Sequence, residues 1–115
     1  MLSLLHSCAF VASAPKTIPF VSLGTVSGMH HQVVDVANAT ALWIAAGGKG
    51  IDTAYDYQDQ DKIAAGIAAS GVDPSSLYIT TKILCSTEAD AKKMIDSDLQ
   101  QLGVSSVDLL SLIHI

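Results

Sequence analysis

Four side chains in this sequence could give, take or steer a proton: Asp52, Tyr57, Lys82 and His114. A carboxylate, a phenol, an ammonium and an imidazole are common agents of acid–base chemistry. Each also has a plainer reading. An aspartate at a strand end often caps a turn, a lone lysine is usually solvated, and a lone tyrosine packs its ring with a wet hydroxyl. Tyr55 is read in that last, structural way. Asp56, Asp59 and Asp61 read as a solvated acidic run at a helix start, where negative charge suits the helix dipole.

Placement raises the four above these plainer readings. Ile18 to Thr25 reads as a short apolar strand, Val33 to Ala46 as a helix stopped by Gly47-Gly48, and Gly50 to Ala54 as a second strand. Asp61 to Ser70 is an Ala/Ile-rich helix ended by Gly71, and residues 73 to 76 form a turn. Leu77 to Ile83 is β-branched and reads as a strand. A third helix runs from Thr87 to Leu102, with Thr87 and Asp90 resembling a capping box and Gly103 past its end. Val107 to Ile113 is the fourth strand. This β-α-β-α-β-α-β order means an α/β fold with a parallel sheet. Reactive groups in such folds gather at the carboxyl ends of strands. Asp52, Lys82 and His114 fall at three successive ends, with Tyr57 in the loop after the second. The pattern leaves an open doubly wound sheet and part of a barrel both possible. Neither G-x-G-x-x-G nor G-x-x-x-x-G-K-[ST] occurs, which tilts the balance toward a barrel.

Composition narrows the partners. Half of the 115 residues are hydrophobic and 15% are charged, which suits one globular domain. The net charge of −5 and six scattered lysines, with no arginine, argue against a nucleic-acid partner. Cys8 and Cys85 have no metal-type or framework spacing, so neither a zinc site nor a disulfide scaffold is implied. Residues 1–16 form a leader of open role. Its apolar run to Ala14 ends in a small-x-small pattern like a cleavage site, but no Lys or Arg precedes it. It is too short to span a membrane, which takes about 20 apolar residues. The expected location is cytoplasmic, or secretory or organellar if the run is a signal peptide. Nothing in the sequence sets an oligomeric state.

The residues also carry a family resemblance. Gly50-Ile51-Asp52-Thr53-Ala54-Tyr55-Asp56-Tyr57 is similar to the aldo-keto reductase signature, in which I-D-T/S-A stands two residues before a tyrosine. Ile18-Pro19 and Leu23-Gly24-Thr25 look like the family's opening I-P-x-L-G-x-G-T. Ser70-Gly71-Val72 and Leu77-Tyr78-Ile79-Thr80-Thr81-Lys82 resemble its S-G-[VI] and [LI]-F-I-T-T/S-K segments. The three motifs stand in family order and cover about residues 17 to 110. The resemblance implies part of a (β/α)₈ barrel, its first four strands and three helices. It also implies reduction of a small aldehyde or ketone by a nicotinamide cofactor, NADP first, with NAD not excluded. Tyr57 would then protonate the carbonyl oxygen as hydride reaches the carbon. A free phenol has a pKa of about 10, so Lys82 would favour the phenolate and Asp52 would hold the ammonium. His114 would orient and polarise the substrate oxygen. Gly24, Thr25 and Asp52 would lie against the nicotinamide.

The sequence departs from the family in four places. Gln58-Asp59-Gln60 replaces the common Gly-Asn-Glu after the tyrosine, and Ile83-Leu84 follows Lys82 where an apolar residue and Trp are usual. From Val107 to His114 there is one residue more than in the family's V-D-L-x-L-I-H. In a strand that shift turns later side chains to the other face. Either a bulge near Leu110-Ser111 restores His114, or His114 points away, or the last few residues are foreign to the native coding sequence. Finally, a complete barrel needs about 250 residues. The chain is therefore expected to be partial, inactive and unstable as a lone monomer. The alternatives are a non-catalytic descendant of the barrel and, more weakly, a small flavodoxin-like binding domain.

Overall fold

A computed structural model describes residues 15–26, 35–84 and 86–113. Four strands, β1 (Ser22–Gly24), β2 (Gly50–Asp52), β3 (Tyr78–Leu84) and β4 (Leu109–Ile113), form one parallel sheet in the order β1-β2-β3-β4. Helices α1 (Val36–Ala45), α2 (Gln60–Ser70) and α3 (Glu88–Leu102) connect them in turn. Such one-way connections put the carboxyl ends of all strands on one side.

The elements form where the apolar spacing and end signals require. Asp35 caps α1 through its side chain, which accepts from the Asn38 amide at 3.0 Å. Gly71 and Gly103 end α2 and α3 at φ of 72° and 68°, the left-handed turn that glycine takes without a Cβ clash. Thr87 caps α3 as expected, but the reciprocal half of the box differs. The Asp90 carboxylate accepts from the Thr87 hydroxyl at 2.8 Å rather than returning to the backbone amide. The core is one apolar cluster between sheet and helices, with Ile51, Ile79, Ile63, Ile67 and Leu77 at its centre. Gly66 lets α1 and α2 close together, since an added Cβ would sit 2.6 Å from that of Thr40.

Two strand expectations are corrected. Only Ser22–Gly24 of the stretch 18–25 is strand, and Ile18, Phe20 and Val21 are exposed beside it. The sole neighbour, β2, is itself three residues long, so the ladder has nothing further to pair. β2 stops at Asp52 rather than Ala54, because the Ala54 carbonyl turns to accept from the Tyr57 amide at 2.9 Å. At the opposite end, Lys16 ties strand starts together: its ammonium donates to Leu77 O at 2.6 Å and pairs with Asp108, whose carboxylate accepts from the Ile79 amide at 2.8 Å. Among the described residues no helix is long and apolar enough to cross a membrane.

Candidate active site

Alternation along the strands separates two faces. Asp52 pairs with Thr80, and Lys82 lies two residues further along β3, so Asp52 and Lys82 share a face at the carboxyl end. The Lys82 ammonium contacts the Asp52 carboxylate and donates to Thr53 O at 2.9 Å. It also stands 5.1 Å from the centroid of the Tyr57 ring, within cation–π range. The side chains of Lys82 and Asp52 remain 20% and 39% exposed, so the pair is open to a reactant.

Tyr57, expected in a loop, ends a single 3-10 turn, Tyr55–Tyr57. Gln58 follows at φ 51°, a left-handed conformation held in part by its side chain donating to Tyr55 O. That is where the resembled family commonly has glycine. The turn keeps its shape here at a cost of roughly 1 kcal/mol for carrying a side chain there.

The opposite face of the same strand ends holds a buried polar group that sequence reasoning missed. Asp59, expected in a solvated run, is 2% exposed, and its carboxylate accepts from the Thr53 hydroxyl at 2.9 Å. The run begins a helix as expected, but α2 must pack on the sheet, so its N-terminal residue turns inward. Asp98 of α3 is equally buried and accepts from the Thr81 hydroxyl at 2.5 Å. Burial pushes both carboxyls above the ordinary range. The hydrogen bonds from Thr53 to Asp59 and from Thr81 to Asp98 oppose this, and the Asp59 charge adds to it at Asp98. A signal for Asp98 existed in the sequence: it falls at four-residue spacing between Met94 and Leu102, on the buried stripe of α3.

β4 pairs with β3 in unbroken register from Thr80↔Leu109 to Leu84↔Ile113. Of the three alternatives for this stretch, the bulge at Leu110–Ser111 is absent, because every residue there keeps its partner. Ser111 stands opposite Lys82 and shares its face. His114 lies outside the described residues.

A nicotinamide cofactor would need an open approach to this face. Gly24, at the end of β1 beside Asp52, is exposed, and a Cβ there would meet nothing within 4 Å. Thr25 is buried, and its amide donates to Asp52 O at 3.1 Å, so its polar groups serve the strand end. No group of acidic, His or Cys residues suited to a metal exists among the described residues.

No family model matches the chain. Curated proteins do. Glycerol 2-dehydrogenase (NADP(+)) of Saccharomyces cerevisiae is 32% identical over 92 residues, covering 80% of this chain and 28% of that protein. An aldo-keto reductase of Bombyx mori is 36% identical over 108 residues, covering 86% of this chain and 35% of its own. The structure of a Bombyx mori aldo-keto reductase in complex with NADP superposes with a TM-score of 0.70 and 31% identity, over 83% of this chain and 34% of that one. A deep-sea metagenome aldo-keto reductase shows the same fold at a TM-score of 0.72 and 23% identity, over 87% of this chain and 36% of that one. The chain spans about a third of the length of the relatives it matches. Sequence and backbone thus converge: the chain is homologous to the N-terminal part of the aldo-keto reductases, and its four strands and three helices are that portion of their (β/α)₈ barrel.

Proposed function

We propose that Asp52, Tyr57 and Lys82 are the proton-handling residues of an NADP-dependent reductase of small aldehydes or ketones. The carrying observation is the Lys82 ammonium, held between the Asp52 carboxylate and Thr53 O and facing the Tyr57 ring. The chemistry a reduced nicotinamide supplies when bound is hydride for the carbonyl carbon. The Tyr57 hydroxyl gives its proton to the carbonyl oxygen, and solvent restores it. Lys82 places positive charge beside the phenol, and Asp52 keeps that ammonium from turning to solvent. Gly24 leaves the nicotinamide ring its space. Thr25 acts at one remove, by fixing Asp52. His114 is left out of the proposed set, because its place in it depended on a bulge that the unbroken β3–β4 register does not contain. By themselves the 115 residues are inactive on this reading, because most of the dinucleotide is held by the remainder of such a barrel.

The test is consumption of NADPH with an aromatic aldehyde by a complete barrel that carries these 115 residues, here called the full chain. Tyr57→Phe is expected to slow it by ~10²–10⁴-fold, the usual worth of a positioned general acid. Tyr55→Phe should keep most of the rate. A Tyr57→Phe protein as fast as the parent, or the reverse order of the two variants, overturns the assignment.

A further inference from the structure

Each charged residue of the front pair has a threonine beside it in the chain. Thr53 follows Asp52 and Thr81 precedes Lys82, and alternation sends both hydroxyls to the back of the sheet, where they are 0% and 1% exposed. Each hydroxyl donates to a buried carboxylate from a different helix, Asp59 at the start of α2 and Asp98 on α3. The peptides they hold are those the front residues use. Thr53 O is the acceptor of the Lys82 ammonium. The next carbonyl, Ala54 O, accepts from the Tyr57 amide at 2.9 Å and from the buried Gln60 side chain at 2.6 Å. Asp59 and Gln60 are consecutive, so one helix start grips two consecutive peptides that place Lys82 and Tyr57. Two buried carboxylates are costly where apolar residues would fill the same volume.

We propose that Asp59 and Asp98 are positioning residues for the Asp52–Lys82 pair, acting through the hydroxyls of Thr53 and Thr81. The proposal rests on the reading of Asp52, Tyr57 and Lys82 as the proton-handling set. Loss of the back-side grip frees Thr53 O to move and lets the Lys82 ammonium swing toward solvent.

Acylation of the full chain with limiting acetic anhydride, read by peptide mass spectrometry, reports that freedom directly. The exposed Lys92 serves as internal reference. Asp59→Ala is expected to raise the Lys82 to Lys92 labelling ratio several-fold. It should also lower kcat by on the order of 10- to 10²-fold, the effect of a misplaced catalytic group, with KM little changed. Asp59→Asn keeps an acceptor oxygen and should restore both. Thr53→Val preserves side-chain volume, should raise the ratio as Asp59→Ala does, and carries the test if Asp59→Ala does not fold. Unchanged Lys82 labelling in folded Asp59→Ala and Thr53→Val proteins overturns the proposal, whatever their melting temperatures. Should Tyr57→Phe leave reduction intact, the functional reading fails by itself, while the labelling ratio still decides the positioning claim.

Discussion

The two faces of the β2 and β3 ends differ in almost every physical respect, although neighbouring residues build them. On the front, Asp52 and Lys82 carry opposite charges, pair directly and stay partly in water. On the back, Asp59 and Asp98 carry the same charge, lie out of water, and lean on threonine hydroxyls. In each carboxylate one oxygen is without a hydrogen bond among the described residues. The front can therefore change partners cheaply, as chemistry requires. The back holds its geometry at an energetic cost that the rest of the fold must offset. One strand serves both because its side chains alternate.

The comparison is broken most forcefully at the front. Lys82→Met should cut carbonyl reduction by the full chain by at least ~10²-fold through loss of acid catalysis at Tyr57. Urea unfolding should nevertheless shift by about 1 kcal/mol or less, as for other partly exposed ion pairs. A large stability loss would show the pair to be structural and erase the contrast.

The back should respond in stability as well as in rate. Asp98→Ala leaves the buried Thr81 hydroxyl without its acceptor and is expected to destabilise the full chain by about 1–3 kcal/mol. Denaturant midpoints measure it, and a shift within error would mean that Thr81 finds another acceptor.

The smallest effect sharpens the contrast through pH. Burial raises the carboxyls of Asp59 and Asp98 above their ordinary range in the folded protein. The native state therefore binds protons more tightly than the unfolded one. Their contribution is fully present below the unfolded value and is lost as pH rises through the raised folded values. The groups facing them are Thr53, Thr25 and Lys62 at Asp59, and Thr81 and the Asp59 charge at Asp98. Stability of the full chain should fall as pH rises from the ordinary carboxylate range, and the double change Asp59→Asn with Asp98→Asn should flatten that slope. A slope that survives both substitutions assigns it to other residues.

Local signals along the chain were enough to read the order of elements and the front of the site. β-branched runs, helical spacing and glycine stops are local signals, and Asp52, Tyr57 and Lys82 fall at positions that any parallel sheet of this order brings to one end. Asp90 at the start of α3 and Gly103 past its end were legible for the same reason. Tertiary structure alone decided the rest. Whether Asp59 is solvated depends on the sheet that α2 packs against, even though its hydrogen-bond partner Thr53 stands only six residues away. The length of β1 was set by its partner β2, and the register of β4 by its pairing with β3, not by their own residues. Local sequence reports what a segment can form; burial and register are properties of pairs of segments, and they exist only once the segments meet.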